Sequence, residues 1–187
     1  MAKLDGKRIA ILSTHGFEQS ELEVPLSKLR DAGATVEVIS PEEGEINGWD
    51  KKDWGNSVKV DKALIAASVD DYDALVLPGG QINPDLLRTD ENAVKFVRDF
   101  FNTKKPLAAI CHAPWLLIEA GVAEGRDMTS YHSIATDVKN AGANWQDKAV
   151  VVDDALITSR NPDDLDAFVD KIIEEVLEGK HEDRSAA

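Results

Sequence analysis

Cys111 is the one cysteine in 187 residues, and it falls where an apolar run gives way to a helix start. The stretch reads Pro106-Leu107-Ala108-Ala109-Ile110-Cys111-His112-Ala113-Pro114-Trp115. Leu107 to Ile110 form a short buried strand by pattern. Pro114 suits a first helical turn, where a missing N–H does no harm. Cys111 is therefore expected at a strand-to-helix turn, facing unpaired backbone N–H groups that favour thiolate over thiol. A cysteine there, followed at once by a histidine, has the makings of a nucleophile elbow with sulfur in place of a serine oxygen. The alternative is a buried packing cysteine, a common fate of a lone thiol.

The surrounding elements must position this pair. Arg8 to Ser13 read as a buried strand. Glu18 to Ala32 carry Leu22, Leu26, Leu29 and Ala32 at helical spacing, and Gly33 fits the cap. Thr35 to Ile39 is a strand. Residues 44–60, with Gly44, Gly48 and Gly55, read as a small hairpin. Ala74 to Leu77 is a strand that stops at Pro78-Gly79-Gly80. Asp90 can cap a helix that turns Ala93, Val94, Val97 and Phe101 inward. Ser133 can cap a helix through Val138. Val150 to Val152 and Ala155 to Thr158 suggest a late hairpin. Asn161 opens a last helix, and residues 179–187 form a polar, flexible tail. Alternation of strand and helix predicts one α/β domain over 1–187, with its core at about 7–178 and a mostly parallel sheet covered on both faces. Ligands in such sheets bind at the carboxyl ends of the strands. The loop after the first strand (Thr14 to Glu18), the Pro78-Gly79-Gly80 loop and the Cys111 elbow should meet there.

Charge and composition narrow the function. A net charge of −14 argues against a non-specific grip on nucleic acid. No apolar run is long enough to span a bilayer, and the first residues do not read as a signal peptide, so the expected address is cytoplasmic. One cysteine rules out an internal disulfide and a multi-cysteine zinc site within the chain. No Walker or dinucleotide loop is present. No metal constellation is evident, and no cofactor is expected. His15 reads as a loop residue, and His181, in the tail, receives no role.

Five segments in order carry a resemblance: "FEQSELEVPLSKLRDAG", "YDALVLPGG", "KPLAAICHAPWLL", "TSYHSIATDVKNAGANW" and "SRNPDDL". Together they resemble the PfpI family of intracellular cysteine hydrolases and stress proteins. That family sits in the class I glutamine amidotransferase-like superfamily, with the parkinsonism-associated deglycase as a distant relative. The resemblance runs from about Lys7 to Leu177. It implies a flavodoxin-like three-layer sandwich, Cys111 as the reactive thiol and His112 as its catalytic histidine. Glu18 is implied as the carboxyl that hydrogen-bonds the sulfur. Asp85, supplied by a neighbouring subunit, is implied as a third, acidic member. Asp85 stands where the family usually has glutamate, Ala113 where it has glycine, and His132 where it has proline.

In this frame Gly79 and Gly80 serve either as a turn needing positive φ or as part of an oxyanion hole with the His112 N–H. Tyr131 and His132 line the pocket or simply pack their own loop. Trp49 and Trp54 are expected in the core, or rimming a pocket or a subunit contact. The activity expected is that of a cysteine-dependent stress hydrolase acting on methylglyoxal or glycated adducts, a deglycase or glyoxalase-like enzyme. An intracellular peptidase using Cys-His-Asp is the alternative, and a non-enzymatic oxidation sensor or chaperone a further one. Partners implied are a small carbonyl compound, a glycated protein or a peptide. A homodimer or larger homo-oligomer, with a hexamer among the options, completes the expectation.

Overall fold

The computed structural model describes residues 3–182. The central sheet is built from β1 (Arg8–Leu12), β3 (Thr35–Ser40), β6 (Lys62–Ala63), β7 (Ala74–Leu77), β8 (Leu107–Ile110), β11 (Val150–Asp153) and β12 (Leu156–Ser159), in the order β11-β12-β8-β7-β1-β3-β6. All pairings are parallel except β11 with β12. Apart from the outer strands, the order is that of a flavodoxin-like sheet, with its switch point between β1 and β7.

Each inner strand is buried on both faces, as parallel sheets require. Along β1, Ile9 and Ile11 join one apolar cluster while Ala10 and Leu12 join the other. The first cluster is closed by α1 (Gln19–Asp31) and α6 (Leu165–Glu178), through Leu22, Leu29, Phe168 and Ile172. The second is closed by α3 (Glu91–Asn102), α4 (Pro114–Glu119) and α5 (Ala135–Asn140) through Phe96, Phe100, Leu116 and Val138. The Asp90 carboxylate accepts from the N–H groups of Asn92 and Ala93, so the α3 cap forms as its sequence suggests.

Two details depart from the sequence reading. The first helix starts one residue later than expected. Phe17–Glu18 forms a short strand, β2, paired in parallel with β4 (Glu45–Asp50) of the hairpin whose second arm is β5 (Asp53–Lys59). Ser133 does not cap a helix. It lies in a 3-10 turn over His132–Ile134 before α5, and its hydroxyl lies 3.2 Å from His112 Nε2. The remaining elements are α2 (Ile82–Leu87) and the pair β9 (Asp127–Met128) and β10 (Asn144–Trp145). The first tail residues are tied down: the His181 N–H donates to the Lys104 carbonyl. Residues 183–187 of the expected tail lie outside the described residues.

Candidate active site

Cys111 leaves β8 with φ +65, a left-handed conformation that a residue with a Cβ occupies at a cost of about 1–3 kcal/mol. Backbone bonds hold it there: Cys111 N–H donates to the Ser159 carbonyl, and Tyr131 N–H donates to the Cys111 carbonyl at 2.8 Å. The end of β12 on one side and the loop after residue 128 on the other thus pin the elbow. Ala113 has φ −58, ordinary helical backbone, so its methyl imposes no backbone strain where the resembling family has glycine.

The carboxyl beside the sulfur is Glu21, not Glu18. Glu21 lies in the first turns of α1, fully buried, on the same inward stripe as Leu22, Pro25 and Leu29. Its Oε2 accepts from the Gly79 N–H at 2.9 Å, and the carboxyl hydrogen-bonds Cys111. Its Oε1 is buried without a hydrogen-bond partner. Glu18, at the N-terminal boundary of α1, is only partly buried. It accepts from the Ser20 hydroxyl at 3.3 Å and borders a surface cleft of about 480 Å³ with Asp50, Lys51 and Pro162. The reason is helical phase: a residue at the helix start faces the hairpin, and three positions on, the side chain points under the Gly79-Gly80 loop.

Burial lifts the Glu21 carboxyl to about 8, helped by the nearby Glu18 charge and opposed by the Gly79 N–H. Glu21 is therefore protonated at neutral pH. Burial also pushes the Cys111 thiol up, and a charged Glu21 would push it further; the Gly80 and His112 N–H groups pull it back. The lowered thiol expected from the elbow alone is thus corrected: desolvation outweighs the two backbone donors. With Glu21 protonated, however, its repulsion is gone, and its O–H becomes a donor to the sulfur.

The two glycines divide their tasks. Gly79 N–H holds Glu21, while Gly80 N–H and His112 N–H face the sulfur. Gly80 has φ +80, and a Cβ there would sit 2.6 Å from the Glu18 nitrogen and the Gly16 carbonyl oxygen. Asn83, fully buried in α2, ties this loop to the one after β1. Its side-chain amide donates to the Pro78 and Gly79 carbonyls, and its oxygen accepts from Thr14 N–H at 2.8 Å. Sequence reasoning passed over Asn83. The only hint was its place three residues after the Gly-Gly turn.

His112 is 8% exposed, with Nδ1 3.1 Å from the Cys111 sulfur and Nε2 3.2 Å from the Ser133 hydroxyl. Burial, and then the His132 charge, lower its basicity, so the ring is neutral near pH 7. Tyr131 stacks on it at 4.9 Å and Trp115 meets it edge-on at 5.2 Å. His132 is exposed and stacks against Tyr131. Asp85 is exposed in α2 and pairs with Arg88, whose guanidinium lies over the Trp115 ring at 4.3 Å. Within one chain, Asp85 thus connects to His112 only through Arg88 and Trp115. The Nε2 side of His112, where a third member would act, is held by Ser133.

A buried thiol with an adjacent imidazole, a protonated carboxyl and two N–H donors can add to a carbonyl and shuttle its protons. The family model described as DJ-1/PfpI matches residues 7–175 of this sequence. The chain belongs to the DJ-1/PfpI family. Within it, the sequence is 48% identical over 164 residues to protein/nucleic acid deglycase 2 of Escherichia coli (strain K12), covering 87% of this chain and 93% of that protein. It is 45% identical over 163 residues to the putative cysteine protease YraA of Bacillus subtilis (strain 168), covering 87% and 94%. The DJ-1/PfpI fold is matched in the crystal structure of Drosophila melanogaster DJ-1beta, with a TM-score of 0.83 and 31% identity over 91% of this chain and 90% of that one. Among the described residues no helix is long and apolar enough to cross a membrane.

Proposed function

We propose that this protein is a cysteine-dependent stress-response hydrolase that converts methylglyoxal, free or as an early glycation adduct, to lactate. The observation that carries the reading is the buried Glu21 carboxyl beside Cys111 under the Gly79-Gly80 loop. A thiol only 5% exposed admits a two- or three-carbon electrophile more readily than an extended peptide.

The residues account for every proton. His112 takes the thiol proton as the sulfur bonds the aldehyde carbon, and Glu21 gives its proton to the aldehyde oxygen. On a glycation adduct the same attack displaces the amine, which leaves with the proton. Glu21, now a carboxylate, removes the hydrogen from that carbon while His112 protonates the neighbouring ketone oxygen, giving an enediol. Glu21 then protonates the second carbon and His112 takes the hydroxyl proton, leaving an S-lactoyl thioester. Water, deprotonated by Glu21, cleaves it, and His112 returns the proton to the thiol. One water is consumed and lactate leaves. Gly80 N–H and His112 N–H stabilise the developing oxyanions; such donors are worth about 3 kcal/mol each.

Lactate release from methylglyoxal and from methylglyoxal-modified N-acetylarginine tests this. Cys111→Ser should reduce release to the uncatalysed rate. Wild-type protein that releases none, yet still reacts with iodoacetamide, sinks the proposal. A peptidase is the second reading, favoured by the 3.1 Å contact between Cys111 and His112; short unfolded peptides test it.

The third member decides how His112 is oriented. If Ser133 orients it, Ser133→Ala lowers kcat about 2- to 10-fold with KM unchanged, the worth of one hydrogen bond. If Asp85 acts from a second subunit, Asp85→Ala lowers turnover and changes oligomer size in light scattering. We hold to a homodimer or larger assembly, because Ile82 and Leu86 expose apolar surface, at 36% and 48%, on the helix that carries Asp85. The cytoplasm is the proposed address, where a lone thiol stays reduced.

A further inference from the structure

The C-terminal end of α6 carries a second cluster of chemistry-bearing groups, on the opposite side of the elements that form the thiol site. Gly179, at φ +87, ends the helix and turns the chain back over its last turns. His181 then lies against Glu175, with Glu178 beside them. One potential ligand atom from each of the three lies within 4.8 Å of the others. A helix C-terminus is a poor place for buried negative charge, since the dipole there is itself negative. Glu175 is nevertheless only 4% exposed.

The geometry of the pair is informative. Glu175 Oε2 and His181 Nε2 are 3.0 Å apart, yet both are buried atoms without a hydrogen-bond partner. No ring N–H is directed at the oxygen. An ordinary hydrogen bond would align them. Two donors that face a common point between them need no such alignment. For a tetrahedral cation with bonds of about 2.0–2.1 Å, adjacent ligand atoms stand about 3.3 Å apart. The 3.0 Å separation and the 3.6 Å from His181 Nε2 to Glu178 Oε2 bracket that edge. Glu178 is exposed, so its carboxylate can swing to complete the set.

We propose that Glu175, Glu178 and His181 form a binding site for a first-row divalent cation, with zinc the best match to one imidazole and two carboxylates. Water completes the coordination. The cation neutralises the buried Glu175 carboxylate and staples the C-terminal segment to α6. The same segment is held from the other side at the α3–β8 turn, where His181 N–H donates to the Lys104 carbonyl and the Lys104 ammonium reaches the Glu182 carbonyl. Binding should therefore be felt as stability, independent of the Cys111 chemistry.

The test must exclude zinc held by the thiol, so it uses full-length Cys111→Ser protein, freed of metal by EDTA and exchanged into a non-coordinating buffer. Calorimetric titration with zinc chloride should show one equivalent bound and a raised melting temperature. Adding His181→Ala to that background should abolish both effects. Glu178→Gln, an exposed change that keeps the fold, should weaken binding at least about tenfold, the cost of one lost ligand. Binding that persists unchanged in the His181→Ala protein overturns the proposal. So does the absence of binding by Cys111→Ser protein at a hundredfold excess of zinc.

Discussion

Glu21→Gln should lower lactate release about 10²- to 10⁴-fold, the usual worth of a positioned acid–base group, while Glu18→Gln should leave it within a factor of about ten. The contrast follows from position. Glu21 shares a hydrogen bond with Cys111 and is anchored by the Gly79 N–H; Glu18 reaches neither and acts on Glu21 only through its charge. A steady-state assay of the two variants decides it, and equal losses would refute the assignment. The same substitution has a signature in stability. The Glu21 carboxyl is raised from 4.5 to about 8 in the folded protein. Between those values the unfolded chain has lost this proton and the folded protein keeps it, so the unfolded state binds fewer protons. Wild-type stability therefore falls as pH rises through that window, by about 1.4 kcal/mol per unit from this group, and levels off above pH 8. Glu21→Gln lacks that slope. Denaturant melts at pH 5, 6.5, 8 and 9 should show the variant gaining on wild type up to pH 8 and then running parallel.

Gly79→Ala should damage both the fold and turnover. A Cβ at this position would stand 2.4 Å from Glu21 Oε2, 2.6 Å from Cys111 Cβ and 2.6 Å from the Ile110 carbonyl oxygen. A flexible neighbour could yield, but the carbonyl belongs to β8 and Cys111 is already held in a left-handed conformation. Overpacking of this kind costs about 1–3 kcal/mol or more. The strain falls on the contact between acid and nucleophile, so turnover should drop to the level of Cys111→Ser even in protein that stays folded. Thermal melts and iodoacetamide labelling of the same sample check both halves. Wild-type turnover in Gly79→Ala would show that the loop does not wedge between the two side chains.

Much of this was legible along the chain. The apolar runs at 9–12, 74–77 and 107–110, alternating with helical periodicity, determined a parallel sheet and its carboxyl-end loops. Those signals are local: burial on two faces demands continuous apolar strands, and a cap or a glycine marks each end. The Cys111 elbow was visible for the same reason, since a strand, a cysteine, a histidine and a Pro at the helix start are contiguous. The family resemblance pointed to Cys111 and His112 as the residues to look at. What the residues could not reveal was which acid meets the sulfur. Glu18 and Glu21 are both acids at the start of one helix, and only the seating of α1 on the sheet beneath the Gly79-Gly80 loop shows which points inward. A clue existed, because Glu21 lies on the stripe of Leu22, Pro25 and Leu29, where a carboxylate has no reason to be unless it is used. Ser133 and Asn83 were illegible for a related reason. Ser133 meets His112 21 residues away and the Asn83 oxygen meets Ser13 and Thr14 69–70 residues away, and hydrogen bonds across such separations leave no periodic trace. The sense of the Cys111 shift was decided in the same way. Backbone donors at an elbow can be read from local sequence, but desolvation is the sum of everything packed around the sulfur, and that sum exists only once the chain is folded.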